Sequence, residues 1–333
     1  MNHYKRITYL DVAKGILILL LMVSHFNSAT RRLEITNESY KYIYFFIPWF
    51  TCFFMQCFFF ISGYCSNFKS DTNTFIKKQI KQILIPWITI EIIDKLAESI
   101  FFNKFTLDYF VSSYVAPPNT GLWFFSALLF SKITLFFLQK KCNVIILVGI
   151  SLLLLLLALI INEYDIGYNI LGIRNGLAAL FFVTIGYVMK KNELWYNLSM
   201  KYSILLFPVS LLVLFTLNLP LPILDANVSN VGALYIPIIL IVTLSGSFFL
   251  LFIARKISSN YILEYFGKNS IIIYGLHFTP LMWTIKVFSQ YITPNNLVTM
   301  IIYTILIYIT LLLILVLIIQ LFNTKYLKWI IGK

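Results

Sequence analysis

The run LVTMIIYTILIYITLLLILVLIIQLF, residues 297–322, contains no charged side chain. A helix needs about 20 mostly apolar residues to cross the hydrocarbon core of a bilayer, and this run is long enough. Similar segments precede it at residues 8–27, 41–64, 79–101, 121–139, 143–161, 170–189, 202–219, 233–253 and 266–288. The sequence therefore predicts an all-α polytopic integral membrane protein with about ten transmembrane helices.

The composition of the whole chain agrees with this fold class and excludes a water-soluble fold. Mean hydropathy is +0.85, 60% of the residues are apolar and 12% are charged, whereas soluble domains carry about 25% charged residues. No polar block is long enough for a second domain, so residues 1–333 are interpreted as one membrane domain. The four cysteines, Cys52, Cys57, Cys65 and Cys142, form no CxxC pair and predict neither disulfides nor a metal site.

The basic residues that give the net charge of +13 indicate topology and do not indicate nucleic-acid binding. With the N-terminus inside, the cytoplasmic side holds Lys5, Arg6, Lys69, Lys77, Lys78, Lys81, Lys140, Lys141, Lys190, Lys191, Lys201, Arg255, Lys256, Lys268, Lys325, Lys328 and Lys333. The outer side holds only Arg31, Arg32, Lys41, Lys104, Arg174 and Lys286. Both termini are therefore predicted to be cytoplasmic, the loop at Asn119 is predicted to be external, and the cell membrane is the expected location.

The first segment carries Asp11, Lys14 and His25 within an otherwise apolar stretch. Ionisable groups in a bilayer are costly, so each is a candidate for function. Lys14 and His25 are eleven residues apart, which places them on one helix face with a rise of roughly 16 Å. Such a face suits a long substrate that is anionic near the cytoplasm and reactive toward the outside. Alternatively, Asp11 and Lys14 form an i,i+3 ion pair and His25 bonds a neighbouring helix.

Further basic residues are candidates for binding phosphate. Lys78 and Lys81 lie at the cytoplasmic start of the third segment, where clustered lysines either anchor the topology or present point charges to an anion. Lys268 precedes Asn269 and Ser270, either of which can cap a helix start. The free amides of that helix could hold an anion together with Lys268, although plain capping explains the sequence equally well.

Three other positions have both a structural and a functional interpretation. His277, in the ninth segment, is either functional or a hydrogen-bonded packing histidine. Trp123, at the outer start of the fourth segment, is either an interfacial anchor or a platform on which a sugar stacks. Ser62-Gly63, near the end of the second segment, is interpreted as a site of close helix packing.

In their order and spacing, these pieces resemble the membrane acyltransferase 3 family, in particular its short branch of sugar O-acetyltransferases. The resemblance covers nearly the whole chain and rests on residues 6–15 with His25, 60–64, 78–86, 122–124 and 267–277. The larger branch typically has an arginine where this chain has Lys14. It also tends to carry a glutamate where this chain has Leu128.

The resemblance implies a one-domain enzyme that transfers an acetyl group from cytoplasmic acetyl-CoA to a hydroxyl of a cell-surface or lipid-linked sugar. Acetyl-CoA is then a donor substrate, and no cofactor is bound permanently. His25 is the predicted general base, with Asp11, Lys14 and His277 supporting the active site and Trp123 on the acceptor side. The lysines predicted to bind the phosphates of the donor are Lys14, Lys78, Lys81 and Lys268.

Two other classes of function fit the same composition. A transporter or flippase for lipid-linked glycans would also have intramembrane charges and a basic cytoplasmic face, but the internal duplication common in transporters is absent from the sequence. A proton or ion pathway built on Asp11, Glu91, Asp94 and His277 is the third alternative.

Overall fold

The computed structural model describes residues 7–35, 40–102, 122–164, 166, 169–218 and 235–333. These residues form helices and turns, and no β-strand occurs among them. The helices are α1 (Thr8–Ser24), α2 (Phe26–Arg32), α3 (Tyr40–Thr51), α4 (Phe54–Cys65), α5 (Thr72–Gln79), α6 (Ile85–Phe102), α7 (Trp123–Lys141), α8 (Val144–Glu163), α9 (Ile173–Lys191), α10 (Glu193–Thr216), α11 (Ile236–Ile257), α12 (Tyr261–Lys268), α13 (Ser270–Leu276), α14 (Phe278–Ser289) and α15 (Leu297–Phe322). A π-helical turn (Ile80–Leu84) joins α5 to α6, and short 3₁₀ turns (Ile170–Gly172 and Lys328–Ile331) precede α9 and follow α15.

Within the described part of the chain, 7 helical stretches are long and apolar enough to cross a membrane. They are Thr8–Arg32, Ile47–Cys65, Val144–Glu163, Ile170–Lys191, Glu193–Thr216, Ile236–Ile257 and Leu297–Phe322. The pair α13 and α14, bent by 55° at its break, makes an eighth if the two helices count as one span. The predicted all-helical, multi-pass membrane fold is therefore confirmed.

Two of the predicted transmembrane segments, 79–101 and 121–139, are helical but more polar than the others. They correspond to α6 and α7, and α6 carries Glu91, Asp94, Lys95 and Glu98. The count of ten spans and the cytoplasmic position of both termini remain predictions. The loop at Asn119, predicted to be external, lies outside the described residues.

Helices α4 and α9 cross at two glycines that allow their backbones to touch. A Cβ at Gly63 would collide with the carbonyl of Val183, and a Cβ at Gly186 would collide with the carbonyl of Phe60. Small residues at a crossing let membrane helices approach closely and gain van der Waals contact. The packing interpretation of Gly63 is confirmed.

Helix α12 crosses the first turns of α1 in the same way. A Cβ at Gly15 would collide with the carbonyl of Leu263, and a Cβ at Gly267 would collide with the carbonyl of Asp11. These two contacts hold the backbone on both sides of Lys14 against α12. The direction of the Lys14 side chain is therefore fixed by packing.

His25 and His277 each stand at a break in a helical span. His25 separates α1 from α2, and His277 separates α13 from α14. Pro280 explains the second break, because it has no N–H and its ring would clash with a carbonyl four residues earlier in a continuous helix. At the first break Ser24 donates its hydroxyl proton to the carbonyl of Leu21 at 2.7 Å, a type of bond that bends helices.

The C-terminal segment, residues 328–333, folds back against α6 and the π-helical turn. Thr89 Oγ1 donates to the carbonyl of Ile330 at 3.0 Å, and Ile330 and Ile331 are buried. Gly332 has a φ of 72°, and a Cβ there would collide with the carbonyl of Lys81. Glycine alone adopts this conformation readily and also leaves room for that carbonyl.

Candidate active site

The imidazoles of His25 and His277 are in contact at the two helix breaks. Their ring centroids are 5.0 Å apart, with the rings at 70° to each other. The ring of Phe278 lies against both, at 5.5 Å from His25 and 6.4 Å from His277. The structure thus brings together two of the predicted site residues that lie more than 250 positions apart in the chain.

The hydrogen bonds of His277 define which of its nitrogens carries the proton. Nδ1 lies 2.9 Å from the carbonyl oxygen of Ile273 and 3.0 Å from that of Tyr274. Because both partners only accept, Nδ1 must be the protonated nitrogen, and Nε2 has a free lone pair in the neutral ring. Nε2 is buried and receives no hydrogen bond from the described residues. His277 is therefore a fixed imidazole with one basic nitrogen available.

A network of charged residues lies beside the histidines. Glu98 accepts from Lys95 at 3.0 Å and from Arg32. Thr279 donates to Asp94 at 2.8 Å, and the Arg32 guanidinium lies 6.0 Å from the centroid of Phe278. Buried charges in a membrane protein are tolerated when they are paired in this way. Two of the acidic residues of α6, Glu98 and Asp94, thus have partners on α2 and α14.

A cavity of about 380 Å³ lies between α1, α4, the α5–α6 region, α7, α13 and the C-terminal segment. Four lysines are among the residues that line it: Lys14, Lys78, Lys132 and Lys333. No aspartate or glutamate of the described residues lines the cavity. The cavity is therefore strongly cationic and suits an anionic ligand with several charges.

Lys14 forms the ion pair expected from its spacing, and its functional role remains a prediction. Its ammonium lies 3.5 Å from Asp11 Oδ1, which is the expected i,i+3 ion pair. It also lines the cavity, and its side chain is 27% exposed, compared with 3% for that of Asp11. Asp11 therefore positions the lysine while the ammonium remains accessible from the cavity.

The other predicted phosphate ligands differ in where they lie. Lys78 lines the cavity, whereas Lys81 is exposed and is not among the lining residues. Lys268 donates to Glu264 at 2.8 Å, and this bond holds the pKa of the Glu264 carboxyl below its usual value. Lys268 is also outside the cavity. Only two of the four predicted lysines, Lys14 and Lys78, share the same cavity.

Trp123 lies at the start of α7 and is 7% exposed. Its ring packs against that of Phe59, with centroids 6.2 Å apart. This buried position is that of a packing residue between α4 and α7. Its predicted acceptor-side role remains a prediction.

One face of α7 connects the cationic cavity to the histidines. Phe124, Leu128 and Lys132 all line the cavity and follow each other at four-residue intervals, so they share one face of the helix over a rise of roughly 12 Å. The backbone N–H of Phe124 donates to Tyr274 Oη at 3.3 Å, and the two rings are 5.1 Å apart. The Tyr274 carbonyl in turn accepts from His277. Along α7 the lining therefore changes from cationic at Lys132 to apolar at Phe124, and Tyr274 links Phe124 to His277, which itself does not line the cavity.

The family described as "Acyltransferase domain" matches the chain over residues 7–320. No curated protein and no solved structure matches it.

Proposed function

The chain belongs to the acyltransferase domain family, and from this premise we propose that it moves an acetyl group from cytoplasmic acetyl-CoA to a sugar hydroxyl of a cell-surface polysaccharide. The family match, nearly the length of the chain, makes it a multi-pass membrane acyltransferase. The donor, the acceptor and the cell membrane as location belong to the proposal. The observation that carries it is the lysine-lined cavity whose apolar residue Phe124 contacts Tyr274, the residue that holds one of the two paired histidines.

The cationic part of the cavity supports a coenzyme A donor. Lys14 and Lys78 present ammonium groups to one space, and ammonium groups are strong point-charge ligands for phosphate. The apolar residues Leu128 and Phe124 then line the same space, which suits the uncharged arm that carries the thioester. The donor is a substrate that arrives and leaves with each turnover.

In the proposed chemical step, His25 accepts one proton and later gives it back. The hydroxyl oxygen of the sugar attacks the thioester carbon while His25 takes the hydroxyl proton, so that the oxygen is a stronger nucleophile in the transition state. The carbon–sulfur bond then breaks, and the departing thiolate takes the proton back from His25. The products are an O-acetyl ester and free coenzyme A. A covalent acetyl-His25 intermediate is a second form of the same proposal.

His277 would act through His25. Its Nδ1–H is held by two carbonyls, its Nε2 is buried without a hydrogen-bond partner among the described residues, and its ring contacts that of His25. A neutral imidazole in this tautomer accepts a hydrogen bond and can orient the neighbouring ring. We therefore assign His277 as a positioning residue for His25.

A simple assay separates this proposal from glycan transport, which the family match does not favour. Purified protein in detergent is incubated with acetyl-CoA and an acceptor sugar, and release of the coenzyme A thiol is followed. The proposal expects thiol release that depends on the acceptor. Transport of a labelled lipid-linked glycan in vesicles without any thiol release would overturn it.

The acceptor is tested on cells. Mass spectrometry of surface polysaccharide from cells with and without the protein should show O-acetyl groups only in its presence. If acetylation of every surface glycan were unchanged while the purified protein still turned over acetyl-CoA, the proposed polysaccharide acceptor would be refuted. Acetyl-CoA would remain supported as the donor.

A further inference from the structure

Lys132 is a lysine midway along α7 that lines the same cavity as Lys14 and Lys78. It belongs to a helix whose neighbouring cavity-lining residues are apolar, and it enters no ion pair or hydrogen bond with the described residues. The ammonium groups of Lys14 and Lys78 lie near enough to repel it. Lys132 is therefore a cation in the protein interior with like-charged neighbours.

Such a cluster is unfavourable without a counter-ion. Charges in a low-dielectric interior interact strongly, and a buried charge normally requires a partner of opposite sign. Lys14 has Asp11 as a partner, whereas the described residues offer Lys132 none. An anionic ligand that enters the cavity would supply the missing charge.

The position of Lys132 indicates which part of a donor it meets. Toward the histidine pair, the same face of α7 continues with Leu128 and Phe124, which are apolar. In coenzyme A the diphosphate joins the uncharged thioester arm to the nucleoside, and the 3′-phosphate lies at the nucleoside end. The boundary between the cationic and the apolar part of the cavity therefore corresponds to the diphosphate.

We infer that Lys132, together with Lys14, binds the diphosphate of the donor and sets how deeply the donor enters the membrane domain. The inference rests on the proposed function, because it takes a coenzyme A thioester as the ligand. Lys132 takes the phosphate-binding role that the sequence predicts for Lys81 and Lys268, because those two lysines lie outside this cavity. Lys78 is then left to contact the nucleoside end.

Binding of three ligands to purified protein tests the inference: coenzyme A, 3′-dephospho-coenzyme A and pantetheine, which lacks phosphate. Lys132→Gln should weaken binding of the first two by the same factor, roughly 10–100-fold for a lost contact between charged groups. Pantetheine should bind Lys132→Gln as it binds the wild type. Lys132→Arg should recover most of the lost affinity, because arginine keeps the charge.

Two controls separate contact from folding. Lys141→Gln removes an exposed lysine from the end of the same helix and should leave all three affinities unchanged. Thermal unfolding without ligand should show Lys132→Gln at least as stable as the wild type, since it loses an uncompensated cation. The rise in unfolding temperature that coenzyme A brings should be smaller in this variant.

Each other outcome has a definite meaning. Unchanged affinity for coenzyme A, or an equal loss for pantetheine, would overturn the inference. If Lys132→Gln bound coenzyme A more weakly but bound the dephospho form normally, Lys132 would contact the 3′-phosphate. Its proposed role in setting how deeply the donor enters would then be refuted. The wild type could also bind inorganic pyrophosphate but no coenzyme A. If Lys132→Gln then lost the pyrophosphate binding, the diphosphate site would be supported and the proposed donor would be refuted.

Discussion

His25 and His277 have different surroundings, and at the residue scale this separates their expected roles. Nδ1 of His277 is held by the carbonyls of Ile273 and Tyr274, and the residue is 3% exposed. His25 is only partly buried and has no comparable pair of backbone bonds among the described residues. The less restrained imidazole is the one that can follow a proton to and from substrate.

The two histidine variants therefore should not behave alike. His25→Ala should reduce glycan acetylation by about 10²–10⁴-fold, the usual effect of losing a general base, while coenzyme A binding and folded yield are retained. His277→Ala should cause a smaller, graded loss, because it removes only the group that orients His25. If His25→Ala acetylated glycan at a near-normal rate and His277→Ala were inactive, the general base would be His277, at the α13–α14 break, and not His25.

Lys78 and Lys81 form a matched pair for the donor side, since they lie three residues apart but only Lys78 lines the cavity. Lys78→Ala should raise the KM for acetyl-CoA by roughly tenfold, and activity should recover at high donor concentration, because a phosphate contact contributes to binding. Lys81→Ala should leave KM near the wild-type value. Equal effects of both substitutions would contradict the geometry and restore the prediction made from sequence.

Single site residues are predictable from sequence where an ionisable side chain lies in an apolar segment, because such a side chain is energetically costly in a bilayer. Lys14 and His25 are identified in this way, Lys78 is identified from its cluster of lysines, and all three lie at the cavity or the histidine pair. Lys132 carries the same signal, a charge inside an apolar segment, yet only the structure shows that it faces Lys14. The His25–His277 contact joins distant helices and has no signature in local spacing.

At the scale of helices, packing is controlled by close backbone crossings. Gly186 on α9 has no room for a side chain against the carbonyl of Phe60, and Gly63 on α4 is equally confined by Val183. The two helices can therefore separate only if the α4 wall of the cavity moves as well. Stability and the shape of the donor site are coupled at this crossing.

Gly186→Ala tests that coupling. The added methyl group forces the helices apart and should lower the free energy of unfolding by roughly 1–3 kcal/mol, a typical cost of overpacking. Thermal unfolding in detergent measures the change. The control is Gly149→Ala on α8, where a Cβ would meet nothing within 4 Å, and which should be neutral or slightly stabilising. Equal unfolding temperatures for the two variants would contradict the close crossing.

The sequence predicts the positions of the helices better than it predicts the breaks within them. Each of the ten apolar segments contains helix in the structure. The break at His277 has a sequence signal in Pro280, whereas the break at His25 depends on a hydroxyl bond from Ser24 that composition does not reveal. The ion pair between Arg32 on α2 and Glu98 on α6 depends on which helices become neighbours, and hydropathy carries no information on that.

For the molecule as a whole, the proposed function requires the donor and acceptor to approach from opposite sides of the bilayer. The excess of basic residues predicts that both termini are cytoplasmic. A reporter fused after Lys333 should therefore be active as a cytoplasmic reporter, and one inserted near Asn119 should be active outside the cell. A cytoplasmic signal from Asn119 would reject the predicted topology and with it the placement of His25 toward the acceptor side.

The folded-back C-terminal segment bears on how this enzyme can be handled. Ile331, Gly332 and Lys333 line the cavity, so any peptide appended after Lys333 starts beside the site proposed for the donor. An affinity tag at that end would act as a tethered competitor, and preparations carrying it would look deficient in donor turnover although correctly folded. A cleavable tag makes the effect visible as activity regained after proteolysis.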